Sequence, residues 1–228
     1  MSTYKRRAAL MESDYQPPQK MARTNLNQTI RSTIQREVRK EKARMGDLKY
    51  ADTALNNQSV TSSGTVHSVL ANLTRGDLGY NNYEGNTITP RGLTCKYMFN
   101  TNQLFNQVRV MCFQWLDAST PALSGLVQNT ATNIATLSGI LVTNRNYIRV
   151  LYDKTHVIAP TAGDGTTPIG LGICYGQFFI TAKRMRKIRF NSTTNTVQDG
   201  NIYVLLVSDD TLPTYPAVNL YTRLSFYD

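Results

Sequence analysis

The sequence predicts an all-β fold: an eight-stranded antiparallel single jelly roll (β-sandwich) preceded by a basic arm that contains an amphipathic helix. Three observations predict it. From residue 50 onward Thr, Asn, Val, Ile and Tyr dominate, and helical periodicity disappears. Short apolar or alternating runs are separated there by Gly, Pro, Asn and Asp, the punctuation of strands and turns. Residues 1–49 hold 12 Lys and Arg against 5 Asp and Glu, so a fifth of the chain carries +7 of its net +10. No internal repeat and no βαβ alternation is visible, which favours antiparallel layers over a parallel sheet.

The elements follow in order. Residues 1–24 mix Lys5, Arg6, Arg7, Lys20 and Arg23 with Pro17, Pro18 and several Gln. A charged, hydrophobe-poor stretch of this kind buries too little to order itself and reads as a flexible basic arm. Residues 25–46 differ. They contain no Pro and no Gly before Gly46, and Leu26, Ile30, Ile34 and Val38 recur every four residues. That spacing predicts an amphipathic helix with an apolar stripe about 120° wide. Arg31, Arg36, Arg39, Lys40 and Lys42 lie on or beyond the edges of the stripe, and Glu37, Glu41 and Arg44 blunt it. Asn25 or Asn27 suits the start and Gly46 the end. So narrow a stripe is marginal alone in water, and the helix is expected to order against copies of itself or against nucleic acid.

Residues 47–228 form the predicted β domain, long enough for one sizeable core. Strands are expected at 65–73, 87–100, 105–117, 147–158, 174–183, 186–191, 201–208 and 220–227. The clearest are Gln107–Trp115 and Asn201–Val207, nearly continuous apolar runs. Residues 76–85, 160–172 and 209–216 read as loops, and 121–137 as a long connection with room for a short helix.

Chemistry-bearing residues are sparse. His67 and His156, each in a strand-like context, read as satisfied structural histidines. Cys95, Cys112 and Cys174 are odd in number and far apart, which is neither a disulfide framework nor a zinc pattern. They read as buried free thiols, with a single catalytic cysteine as the alternative. No HExxH, GxSxG, phosphate-binding or dinucleotide-binding motif occurs, so neither enzyme activity nor a cofactor is expected. Asp209-Asp210 reads as a solvated turn, or as part of a structural calcium site, since hard cations take clustered carboxylates. Trp115 reads as packing.

The cationic clusters are more informative. The arm suits phosphate binding that tolerates any sequence and weakens with salt. The alternative reading of the arm, with Lys5-Arg6-Arg7 at its tip, is a solvated tail or a nuclear-import signal. A second cluster, Lys183, Arg184, Arg186, Lys187 and Arg189, falls within seven residues. If extended, it places Lys183, Lys187 and Arg189 on one face with Met185, and Arg184 and Arg186 on the other with Ile188 and Phe190. It reads either as an exposed strand at a subunit contact or as a second phosphate-contacting patch. The absence of any apolar run of 18 residues predicts no membrane span. The N-terminus lacks the apolar stretch of a secretory signal, which predicts synthesis in the cytosol, with a nuclear stage open.

The order of basic arm, amphipathic helix and eight-stranded body resembles the single-jelly-roll capsid proteins of small viruses. Gly64–Leu70 through Arg75-Gly76-Asp77 resembles the first barrel strand and following loop of the satellite tobacco necrosis virus coat. Gly85–Leu93 is similar to the second-strand signature of capsids of circular Rep-encoding single-stranded DNA (CRESS-DNA) viruses. Val108–Asp117 with Thr120-Pro121 resembles their next strand and long connection, and Tyr147–Lys154 and Asn201–Asp209 later strands. The likeness spans roughly residues 25–228 as pattern. It implies a virion component that self-assembles into a T=1 icosahedral shell of about 60 copies. It also implies an arm facing inward onto a packaged single-stranded genome, DNA favoured, with Leu26, Ile30, Ile34 and Val38 as a self-association seam. The long Arg tract of true circovirus capsids is absent. A satellite-like RNA virus coat is the alternative, or a monomeric β-sandwich module that binds nucleic acid or glycans.

Overall fold

The computed structural model describes residues 30–36, 48–76, 79–103, 105–131, 134–159, 172–194, 196–210 and 215–228. The chain divides into two units, Met1–Asp47 and Leu48–Asp228. In the first, residues 30–36 form a helix, α1, on which Ile30 and Ile34 are exposed. These seven residues fall within the predicted helix 25–46. Leu26, Val38 and the flanking segments 25–29 and 37–46 lie outside the described residues, as does the arm 1–24.

The second unit is a two-sheet β-sandwich built from eight principal strands among the described residues: β1 (Lys49–Ser59), β2 (Thr65–Ser68), β5 (Thr87–Thr101), β6 (Asn106–Trp115), β7 (Ile148–Ile158), β8 (Gly172–Thr181), β11 (Asn201–Ser208) and β12 (Ala217–Tyr227). Four short strands accompany them: β3 (Thr74–Arg75), β4 (Asn82–Tyr83), β9 (Ile188–Phe190) and β10 (Val197–Asp199). Sheet A runs β1-β12-β5-β8, with β9 and β10 attached at the start of β5; sheet B runs β2-β11-β6-β7. All of these pairings are antiparallel, and a parallel β3–β4 pair decorates the connection between β2 and β5. Numbered along the chain, the eight principal strands therefore lie in the orders 1-8-3-6 and 2-7-4-5. Strands close in sequence alternate between sheets while the first and last pair side by side, and that is a jelly roll.

β1 corrects the expected strand list. Lys49-Tyr50-Ala51-Asp52-Thr53-Ala54-Leu55 alternates only weakly, because its inward positions are Ala51, Thr53 and Leu55. Its place is fixed by the ladder to β12, from Lys49 opposite Phe226 to Ser59 opposite Ala217. The strand at Thr65 is consequently the second of the barrel rather than the first. The strand that follows Gly85 is the third rather than the second.

Two cores result. Between the sheets lie Leu93, Cys95 and Phe99 of β5, Val108, Val110 and Cys112 of β6, Ile202, Val204 and Leu206 of β11, and Leu224 and Phe226 of β12. On the opposite face of sheet B, Met111, Phe113, Trp115, Tyr203, Leu205 and Val207 pack under the β6–β7 connection through Leu123, Leu126, Val127 and Ala135. The first two belong to a one-turn helix, α2 (Leu123–Leu126), inside the predicted long connection. The central strands of sheet B, β6 and β11, are thus covered on both faces. This is why β6 and β11 read as unbroken apolar runs while β12 alternates.

Arg109 fastens that cover. It is buried in β6, and its Nε and Nη2 donate to Asp153 Oδ1 and Oδ2 at 2.8 and 2.6 Å. Its Nη1 donates to the carbonyls of Ala135 and Ser138, and Thr155 Oγ1 donates to the Thr136 carbonyl at 3.1 Å.

Candidate nucleic-acid interface

The segment between β8 and β10 carries the second cationic cluster, and its backbone is not the continuous strand expected. Ala182–Arg184 form a 3-10 turn, residues 185–187 are irregular, and β9 begins only at Ile188. The turn breaks the two-residue period, so the side chains do not sort onto two cationic faces. Met185, Ile188 and Phe190 are buried, and Lys183, Arg184, Arg186, Lys187 and Arg189 are all exposed. The apolar residues anchor the segment and all five cations point to solvent on long stems.

Three further contacts hold this backbone. Gln114, fully buried at the end of β6, donates from Nε2 to the carbonyls of Arg186 (2.9 Å) and Gly200 (2.7 Å) and accepts from Arg186 N (2.8 Å). Phe190 stacks on Tyr83 with ring centroids 4.1 Å apart. Arg75 donates from Nη1 to the Ser192 carbonyl at 2.7 Å and from Nη2 to Asn86 Oδ1 at 2.6 Å. Gly200 turns at φ 83°, and a side chain there would meet the Lys187 carbonyl at 2.7 Å, so glycine is required where the chain re-enters the sandwich.

The electrostatics separate this cluster from the four cations Lys49, Arg91, Arg109 and Arg223. Lys49 pairs with Asp228 (2.8 Å), Arg109 with Asp153 (2.6 Å) and Arg223 with Asp52 (2.7 Å). Arg91 lies over the Tyr227 ring at 4.8 Å. Among the described residues none of the five cluster side chains makes an ion pair, although Asp199 stands opposite Arg189 in the β9–β10 ladder. Five uncompensated cationic heads on a pinned backbone are suited to meeting an extended polyanion. In the first unit Arg31 and Arg36 lie on exposed turns of α1. Lys5, Arg6, Arg7, Lys20, Arg23, Arg39, Lys40, Lys42 and Arg44 lie outside the described residues.

The remaining candidate residues take structural positions. Cys95 and Cys112 are buried, and burial pushes the Cys95 thiol up to about 12 and that of Cys112 well above its ordinary value. Cys174 is half-buried, with Sγ 3.3 Å from His156 Nδ1. Burial raises its pKa too, the opposite of the lowering that activates a cysteine nucleophile. His156 Nε2 is 2.8 Å from the Tyr97 hydroxyl, which is 2.9 Å from that of Tyr152, so this histidine is satisfied. His67 is not: its Nε2 is buried with no partner among the described residues, and burial lowers its pKa. Asp209 and Asp210 are not a solvated turn. Asp209 Oδ1 accepts from Gln107 N (2.8 Å) and Asp210 Oδ2 from Asn106 Nδ2 (3.2 Å), tying the end of β11 to the start of β6. Among the described residues no three His, Cys, Asp or Glu side chains gather as a metal site would require, and no helix is long and apolar enough to cross a membrane. Trp115 is core, as its sequence context indicates.

No family model and no curated protein matches the chain in sequence. Among solved structures it is similar to one titled "Desmodium yellow mottle tymovirus", with 8% identity over 80% of this chain and 88% of that chain, at a TM-score of 0.35. It is similar also to "Structure of infectious bursal disease virus Gx strain", with 7% identity over 79% of this chain and 30% of that one, at a TM-score of 0.28. Overlaps of this size leave the fold to be read from the strand order itself, which is that of a jelly roll.

Proposed function

We propose that this chain is a viral coat protein whose β body self-assembles into an icosahedral shell and whose basic arm packages a single-stranded genome. The observation that carries the reading is the division of labour within one chain. A jelly-roll body, with Lys49, Arg109 and Arg223 held in ion pairs, follows an arm of net +7. The exposed 183–189 cluster adds a second region where phosphates are neutralised without reading bases. No catalytic step, cofactor or metal is assigned to this role, and its location is the virion. A T=1 shell holds about 60 copies, on the order of 1.5 MDa at 25.6 kDa each. DNA is preferred over RNA on the resemblance of the strand stretches to CRESS-DNA virus capsids. The exposed Ile30 and Ile34 of α1 fit a seam that closes on copies of the same helix.

The test compares the full chain with residues 46–228 by mass photometry and by the ratio of absorbance at 260 and 280 nm. The full chain is expected to form megadalton particles whose contents, once extracted, are digested by a single-strand-specific DNase. Loss of residues 1–45 is expected to leave a folded body without packaged nucleic acid. Truncated particles with an unchanged 260 nm signal would rule out the arm's role. A single-copy species at high concentration would instead favour a monomeric binding module.

A further inference from the structure

Sheet A ends on two unlike edges. β1 carries Lys49 and Asp52, a register break between Leu55 and Gln58, and Asn57 at φ 49°. Charge and irregularity of this kind are how proteins prevent an edge from recruiting another strand. β8, at the other edge, reads Gly-Ile-Cys-Tyr-Gly-Gln-Phe-Phe-Ile-Thr: ten residues without a charge or a proline. It pairs with β5 without a break, from Gly172 opposite Thr101 to Thr181 opposite Gly92, so it is straight and regular. Among the described residues no strand pairs with its second edge.

The outward side chains of β8 are also uncovered. Ile173, Tyr175 and Phe179 are 50%, 72% and 65% exposed, while Phe178 and Ile180, on alternate positions, fill the core. Tyr175 and Phe179 alone leave on the order of 250 Å² of aromatic surface in water. A shallow trough lined by Ala54, Met98, Tyr175 and Tyr221, with Lys96 and Asn219 among its polar members, continues across sheet A, and Val157 of β7 is exposed as well.

We propose that β8 pairs antiparallel with β8 of a second copy of this chain, about a two-fold axis at Gln177, joining two sandwiches through sheet A. The proposal names one contact of the self-assembly read above and rests on that reading. Charge selects the occupant. In antiparallel pairing of a strand with itself a charge on or beside the axis meets its own like, and a strand without charges avoids that cost in every register. Of the long edge strands, β1 carries Lys49 and Asp52, and β7 carries Arg149, Asp153 and Lys154. β8 alone of these three holds no charged residue, and it meets its own copy without like-charge repulsion. Side-chain register agrees. With Gln177 opposite its mate, Tyr175 faces Phe179 of the second copy on both sides of the axis, and Ile173 faces Thr181. Two aromatic cross-strand pairs then flank a glutamine pair. The area involved falls short of the roughly 800 Å² per partner of a stable isolated dimer. The contact is therefore weak by itself and gains strength by repetition around a closed assembly.

Disulfide trapping in the full-length chain tests this, in a Cys174→Ser background. Paired strands put opposite Cα atoms about 4.5–5.5 Å apart, within disulfide reach. Gln177→Cys is expected to give mostly disulfide-linked dimers when assembled particles are mildly oxidised. Tyr175→Cys, displaced from its own mate by four residues or about 14 Å, is expected not to link. Particles in which Gln177→Cys stays unlinked, or in which Tyr175→Cys links equally well, overturn the β8 contact and leave assembly standing. A wild-type chain that never exceeds a single copy overturns both.

Discussion

The side-chain amide of Gln114 substitutes for a strand partner along Arg186: it donates to the Arg186 carbonyl at 2.9 Å and accepts from the Arg186 N–H at 2.8 Å. A buried residue of sheet B thereby sets the path of the exposed cationic segment. Replacing Gln114 with Leu leaves the Arg186 and Gly200 backbone groups without their partner, at about 1–3 kcal/mol for a buried group so orphaned. Gln114→Leu should lower stability by about 2–4 kcal/mol in urea unfolding. It should also weaken single-stranded nucleic acid binding by body fragment 46–228 with all five cations still present. Full-strength binding by a fragment destabilised in this way would show that the cluster needs no fixed backbone.

The Arg109–Asp153 pair joins sheet B to its cover. Arg109 is almost wholly buried, whereas the Asp153 side chain keeps 32% of its exposure, so part of the aspartate's charge stays solvated if the pair is broken. Arg109→Met is expected to destabilise the body by about 2–4 kcal/mol, toward the lower end for a buried pair. Within body fragment 46–228 it should also speed limited proteolysis of the 116–147 connection. Arg109→Lys should not restore stability, because a single ammonium cannot span Asp153 and two separate carbonyls.

Thiol chemistry gives a third check. Burial holds the thiols of Cys95 and Cys112 protonated, and Cys174 alone reaches the surface. Titration with an aromatic disulfide reagent at pH 8 should find one slowly reacting thiol in the native chain and three in denaturant. Rapid reaction of two or more native thiols would contradict the packing of β5 and β6.

Acid should destabilise the body from near-neutral pH downward. Burial lowers the pKa of His156, with the Lys154 charge adding to it, and burial lowers that of His67. A histidine whose folded pKa lies below its unfolded value of 6.5 binds its proton more readily when unfolded. Its contribution is therefore complete above about pH 6.5 and is lost as pH falls below that value toward the folded pKa. Asp52 acts in a lower window: the hydrogen bond from Arg223 lowers its pKa from 3.8, so its contribution disappears as pH falls below that value. The Tm should be flat above pH 7 and fall below 6.5. His156→Gln, able to bond Tyr97 without titrating, should reduce that slope. An unchanged slope would assign the pH dependence elsewhere.

The sequence carried these features unequally. Strands that fill a core were legible, because β6, β7, β11 and β12 place large apolar residues at fixed periods. β1 was not, because an edge strand that contributes Ala51, Thr53 and Leu55 to the core looks like a polar linker until its partner β12 is known. The cations of 183–189 were legible as a cluster but not as a geometry. A 3-10 turn at Ala182–Arg184 and the hold of Gln114, some 70 residues away, decide where they point, and no local pattern encodes either. The pairing of Arg109 with Asp153 was hidden for the same reason: a lone arginine in an apolar run has no visible partner in one dimension.

The cover over sheet B changes what substitution can do. On β12 every second residue looks outward from sheet A, so a scan of all replacements should find tolerant and intolerant sites in turn. β11 offers no such relief. All eight of its residues are enclosed, the even-numbered apolar ones by the inter-sheet core and the odd-numbered ones by the connection above. Drift in this chain therefore has to collect on loops and on sheet A, while Asn201–Ser208 and the enclosed run Val108–Trp115 of β6 stay constrained.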